Sequence, residues 1–341
     1  NGNRITVYDV VSITDGENAV NVLGQTTFNG AGGAATQPGL NNPNSLAIDP
    51  ASNRLYAWDL SNNRVVIYDT ATISNGENAV DLLGQYDETN FTDPVPIYSK
   101  SAANDGPNKF GVSSLTGVAF DGTNHRLFVS ENGNRRILVY NLTNPGNLLS
   151  DHLADYVLGQ PNFYTNTSTA TQSGMGGGKA LTFDATNNRL YAVDGNHRVL
   201  IYNTSTITNG MNAVNVLGQT TFGGSSSGTT QPGMSTPQGI SVDAAHNLLY
   251  VSNNGNHRVT VYDVTSITNG ENAVNVLGQT AFDGSSIAAT QSGLNTPYGL
   301  SVDSTNSRLY LVDQINSRVL VFDTSAISNG MNALNVLGQT A

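Results

Sequence analysis

Residues 293–339 read GLNTPYGLSVDSTNSRLYLVDQINSRVLVFDTSAISNGMNALNVLGQ. Pro297-Tyr298-Gly299 is turn punctuation, and Leu300 to Asp303 (LSVD) then alternates apolar and small residues. A polar turn, Ser304 to Ser307, leads into Arg308 to Asp313 (RLYLVD), rich in bulky and branched side chains. After Gln314 to Ser317 comes a third apolar segment, Arg318 to Asp323 (RVLVFD), and a longer connection reaches Ala333 to Gln339 (ALNVLGQ). Four short strands with connections too short to cross over must pair in sequence, as an antiparallel meander. The first strand is the least bulky, as the crowded axis of a ring requires, and the later ones carry the Tyr and Phe that fill space between units.

The same unit recurs along the chain. LGQ ends at Gln25, Gln85, Gln160, Gln219, Gln279 and Gln339, in steps of 60, 75, 59, 60 and 60 residues. Self-similarity at a fixed period is the signature of a repeat architecture. The long step carries an insertion, mainly Tyr86 to Ser113, whose Pro, Asp, Asn and Gly content marks a loop. Third and fourth strands occur six times, but first and second strands only five, because residues 1–25 hold a third and a fourth strand alone. The expected fold is an all-β, six-bladed β-propeller of four-stranded antiparallel blades, with the first blade incomplete at the N-terminus. One domain covers 1–341, with a partial blade at 1–25 and blades at about 39–86, 113–161, 174–220, 234–280 and 293–340. Upstream residues, or another chain adding its strands to the half blade, would complete the ring.

P-x-G-[LI]-x-V-D, then N-R-L-Y-x-x-D, then N-H-R-V-x-V-Y-D resembles the NHL-repeat β-propeller family, most closely at Gly195 to Arg198 and Gly255 to Arg258. The resemblance covers essentially the whole chain, although the period exceeds the family's usual one. The extra length lies between strands three and four and in the Gly/Ser/Thr-rich stretch after each LGQ. NHL-like propellers include enzymes, lectin-like binders, RNA binders and scaffolds, so the resemblance implies a fold and leaves function to the site.

Composition narrows the classes. Fourteen Lys plus Arg against 25 Asp plus Glu give a net charge of −11, and only three lysines occur, Lys100, Lys109 and Lys179. So few cations cannot neutralise a run of phosphates, which argues against nucleic acid and against anionic membrane surfaces. No apolar run approaches a membrane span, so no membrane insertion is expected. There is no cysteine, which excludes disulfides, thiolate metal sites and Cys nucleophiles. The Lys-poor, Asn/Thr/Gly-rich composition resembles that of secreted bacterial surface proteins. Asn-x-Ser/Thr sequons stand at Asn90, Asn141, Asn166 and Asn203.

Candidate site residues follow from where the repeats differ. The residue leading into strand one is Asn44, Thr116, Lys179, Gln238 or Tyr298, while its neighbours barely change. That position belongs at the mouth of the central channel, on the face shared with the turn between strands two and three. The same turn carries Asp59, Glu131, Asp194, Asn253 and Asp313, each followed by Arg64, Arg136, Arg198, Arg258 or Arg318, with Arg4 in the partial blade. An acid and an Arg in nearly every blade read as a structural ring of ion pairs rather than as catalysis.

Five histidines do not converge in the sequence, so no metal site is assigned. No G-x-S-x-G elbow occurs. The resemblance extends to amidating lyases with a His-rich channel, a pattern not matched here, and to lactonases whose channel Asp, Asn and Glu bind calcium. The reading is a non-enzymatic extracellular or cell-surface binding or scaffold module. It would recognise a protein or glycan through Asn44, Trp58, Thr116, Lys179, Gln238, Tyr298 and the 86–113 loop, or self-assemble through the incomplete blade. The alternative is a calcium-dependent lactonase- or lyase-like enzyme acting in the channel, with calcium the only possible cofactor.

Overall fold

The computed structural model describes residues 2–11, 13–15, 17–87, 94–102, 106–143, 146–149 and 151–339. Five four-stranded antiparallel sheets and one two-stranded sheet follow one another along the chain. The two-stranded sheet pairs Ile5–Val7 with Asn21–Leu23. Blade 1 consists of Pro43–Asp49, Arg54–Asp59, Arg64–Asp69 and Asp81–Leu83. Blade 2 is Leu115–Asp121, Arg126–Glu131, Arg136–Asn141 and Tyr156–Leu158. Blade 3 is Gly178–Asp184, Arg189–Asp194, Arg198–Asn203 and Asn215–Leu217. Blade 4 is Pro237–Asp243, Leu248–Asn253, Arg258–Asp263 and Asn275–Leu277. Blade 5 is Pro297–Asp303, Arg308–Asp313, Arg318–Asp323 and Asn335–Leu337. Strands pair in sequence order, as connections this short require.

Two boundaries differ from the sequence reading. Strand one of blade 5 begins at Pro297 rather than Leu300, because a bulge carries the ladder past the turn residues. Strand four is shorter than Ala333 to Gln339, since Gly338 takes a φ of 88° and turns the chain out of the sheet. That glycine recurs in every LGQ, with φ between 80° and 98°. The Leu before it is buried, and the Gln amide after it donates to carbonyls of its own blade, as Gln219 Nε2 does to His197 (3.0 Å) and Ser226 (2.8 Å). The repeated tripeptide is thus a buried anchor, a left-handed turn and a staple.

Apolar side chains are buried between consecutive blades rather than in one central mass. Tyr56, Trp58 and Val65 of blade 1 share a cluster with Leu115, Val129 and Tyr140 of blade 2, and equivalent clusters join blades 2 and 3, 3 and 4, and 4 and 5. A fifth joins Ile5 and Leu23 of the two-stranded sheet to Leu55, Val66 and Tyr68 of blade 1. A polar bracket repeats along the outer strands, where the backbone N–H of Val22, Val157, Val216 and Val276 donates to the amide oxygen of Asn75, Asn209, Asn269 and Asn329 in the blade that follows. At the end of the series Val336 N donates at 3.2 Å to the carboxylate of Asp15. The two-stranded sheet therefore stands beside blade 5, and the ring closes through that bond.

Candidate site at the channel mouth

Strand one of each blade contains a bulge. In blade 1, Pro43 pairs with Asp59, but Leu46 pairs with Ala57, so two residues face one. The same slip separates Gly178 from Leu181, Pro237 from Ile240 and Pro297 from Leu300, and in blade 2 it sets Thr116 apart between Leu115 and Gly117. A bulge frees a residue from the ladder and re-aims its side chain. Asn44, Thr116, Lys179, Gln238 and Tyr298 all fall in these bulges, and all five line one cavity of about 650 Å³ around the axis. The structure thus brings together the five lead-in residues that the repeat comparison singled out.

Trp58 does not join them. It is 2% exposed and belongs to the core between blades 1 and 2. It lies on strand two opposite the bulge, with its ring turned to the neighbouring blade, a position the sequence alone does not separate from the mouth. Of the 86–113 loop, residues 88–93 and 103–105 lie outside the described residues, as does the Asn90 sequon.

The acid–Arg turns lie directly behind the mouth. Arg64 Nε donates to Asp59 at 2.7 Å, Arg198 to Asp194 at 2.6 Å and Arg318 to Asp313 at 2.9 Å, and Arg136 pairs with Glu131 in the same way. The second carboxylate oxygen accepts a backbone N–H from the segment entering strand one, at Asn41, Ser113, Gly176 or Asn295. Each guanidinium also donates to carbonyls of the loop after LGQ, as Arg64 does to Thr36 and Gly39. Burial pushes the carboxyl groups of Asp59 and Glu131 up, and the facing Arg64 and Arg136 pull them back. These pairs fix the strand-one lead-in to the turn.

Blade 4 and the two-stranded sheet depart from this pattern. Asn253 occupies the acid position, so Arg258, fully buried, holds only the carbonyls of Thr229, Thr230 and Gly233. Its Nε and the Asn253 Oδ1 have no partner, and burial lowers the Arg258 pKa. The Asn253 amide turns instead to Thr260 Oγ1 at 2.8 Å, where the other blades carry Val66, Leu138, Leu200 and Leu320. Arg4 donates to the Gly30 carbonyl at 2.9 Å and has no carboxylate partner among the described residues.

The mouth residues differ in their commitments. The Asn44 amide donates to the Tyr298 hydroxyl at 3.3 Å, and Thr116 Oγ1 donates to the Gly178 carbonyl at 2.8 Å. Lys179 and Gln238 make no side-chain hydrogen bond or ion pair among the described residues. Burial alone holds the Lys179 amine below the ordinary lysine value.

Among the described residues no three His, Cys, Asp or Glu side chains gather as a metal site would need. His197 and His257 accept the backbone N–H of Thr236 and Thr296 through Nδ1 at 3.0 Å, which ties successive blades together. The strand-one aspartates Asp121, Asp184 and Asp303 cap their own turns through Asn124, Asn187 and Asn306.

Five four-stranded meanders joined face to face around a lined channel define a β-propeller. The NHL repeat family model matches residues 234–262, strands one to three of blade 4, which fits the propeller fold. No curated protein matches the chain. Among solved structures, a crystal structure of a nidogen/laminin complex is similar with a TM-score of 0.51 at 15% identity, over 93% of each chain.

Proposed function

We propose that this propeller is a non-enzymatic binding module that recognises a partner protein through the channel mouth, at the cell surface or outside the cell. The observation that carries this reading is the bulge. It presents five different side chains, Asn44, Thr116, Lys179, Gln238 and Tyr298, from a frame that otherwise repeats. Function placed at variable positions on a constant scaffold is the usual division of labour in binding domains. The similar propeller in the nidogen/laminin structure belongs to a protein–protein complex, which is consistent with such use. Panning a displayed peptide library against the chain, with counter-selection on a Thr116→Val/Gln238→Ala/Tyr298→Ala variant, tests it. Peptides that lose binding to the variant support the reading. Binders indifferent to the mouth, or saturable binding only on a glycan array, overturn it.

A second reading concerns the ring. Leu46 and Ile48 of blade 1 are 48% and 60% exposed, and Val312 of blade 5 is 38% exposed, whereas Val118, Leu181 and Ile240, equivalent to Leu46, are all but buried. These side chains flank the inner side of the two-stranded sheet, where Arg4 lacks the carboxylate of its counterparts. The arrangement suits a ring of six positions, the sixth completed by a hairpin of the repeat's inner-strand pattern. A synthetic peptide with the sequence of residues 293–314 should raise the Tm while its scrambled form does not. An unchanged Tm with both removes this reading.

A further inference from the structure

Lys179 and Gln238 lie on the innermost strands of neighbouring blades, each in a bulge and each lining the axial cavity. Of the five lead-in residues, the other three each make a side-chain hydrogen bond within the protein, Asn44 to the Tyr298 hydroxyl and Thr116 to the Gly178 carbonyl. The carboxylates nearest the mouth are no counter-ions for Lys179. Asp59, Glu131, Asp194 and Asp313 are buried and each is paired with its own arginine. In a chain of net charge −11, Lys179 is thus a cation in the cavity lining with no ion-pair partner among the described residues.

We infer that Lys179 and Gln238 form a carboxylate site, which takes a Glu or Asp side chain inserted into the channel mouth by the partner protein. The ammonium supplies charge and up to three donors, and the Gln amide supplies a further N–H. Leu181 and Ile240, two residues further along the same strands, line the wall beneath and suit the methylenes of an acidic side chain. One ammonium and one amide match a monoanion. A phosphate dianion is generally met by a guanidinium fork, and no arginine is in the cavity lining among the described residues. Desolvation of Lys179 strengthens the attraction, since a charge shielded from water gains more from an opposite charge than a solvated one. This site refines the protein-binding reading and rests on it.

The three lysines make a direct test possible. Reductive ¹³C-methylation keeps their charge and gives Lys100, Lys109 and Lys179 separate NMR signals, assigned by single Lys→Arg variants. Acetyl-Glu-amide should shift the Lys179 signal saturably and raise its titration midpoint, while acetyl-Gln-amide should not. Gln238→Leu should weaken the response of the Lys179 signal with the circular dichroism spectrum unchanged. A Lys179 signal that moves no more than those of Lys100 and Lys109, or that answers inorganic phosphate more strongly than carboxylate, overturns the site. Mouth-dependent library binders should carry an acidic residue and bind Lys179→Met at least about tenfold more weakly. Binders that need Thr116, Gln238 or Tyr298 but ignore Lys179→Met overturn this inference and leave the protein-binding reading standing. Binders that ignore the mouth altogether overturn that broader reading.

Discussion

The Asn44 amide reaches the Tyr298 hydroxyl at 3.3 Å, joining blades 1 and 5 although 254 residues separate them in the chain. It crosses the mouth on the side where the two-stranded sheet stands, so the rim is continuous there without a fully formed blade beneath it. A double-mutant cycle of Asn44→Ala and Tyr298→Phe should give a coupling of about 0.5–1 kcal/mol, the worth of one partly exposed hydrogen bond. Urea midpoints of the four proteins measure it, and strict additivity would show that the rim is open.

Removing a carboxylate from the ring should cost according to how deeply its arginine is buried. Asp194→Ala leaves Arg198 wholly buried and unpaired, and should destabilise by roughly 3–5 kcal/mol. Asp313→Ala should cost clearly less, since the Arg318 side chain reaches some solvent. The converse change, Asn253→Asp, gives the orphaned Arg258 Nε an acceptor and should stabilise by about 1–3 kcal/mol. Equal losses for Asp194→Ala and Asp313→Ala in urea titrations would contradict this account.

Two glycines in equivalent positions should respond differently to one methyl group. A Cβ on Gly239 would run into the Tyr298 carbonyl and approach Ser252 Oγ to 3.0 Å, whereas at Gly299 its nearest neighbour is Val312 Cγ2 at 3.8 Å. Gly239→Ala should cost about 1–3 kcal/mol, as overpacking does. Gly299→Ala should be neutral or stabilise by up to about 1 kcal/mol through the unfolded chain. Thermal unfolding of the two variants makes the comparison.

High pH should unfold the protein through its interblade tyrosines. Burial pushes Tyr191 and Tyr262 up to about 12, and Tyr56, Tyr68, Tyr140, Tyr202 and Tyr250 higher still. The folded chain keeps phenolic protons that the unfolded chain releases near its ordinary value of about 10. Stability is therefore fully present below that value and falls as pH rises through it. Phenolate absorbance should appear in two stages, the second coinciding with loss of the β-sheet circular dichroism signal. A single gradual titration of all 14 tyrosines with the fold intact would refute it.

Strand identity was legible because each strand is short, apolar and fenced by polar turns, and the period exposed the half blade. The alternation of side chains along a strand assumes an unbroken ladder, so the bulge at Pro297 was invisible, and with it the early start of strand one. Trp58 was misplaced for a related reason. Strand two of blade 1 is buried on both faces, and the residue just before the acid carries no mark of which way it points. The lead-in residues were legible as variation among repeats. The consequence of Asn253 was not, since its effect depends on an arginine whose burial only packing determines.

Because two bulge residues face a single residue on strand two, the lead-in side chain is exempt from the pairing that holds every other strand position to its type. Copying a repeat reproduces the frame and leaves one letter free to drift. Around the mouth those letters spell Asn-Thr-Lys-Gln-Tyr in chain order, a five-character address. On the binding reading proposed above, propellers with this frame and other residues at these positions should keep the fold and dock elsewhere, so their preferences can be sorted from sequence by reading five positions.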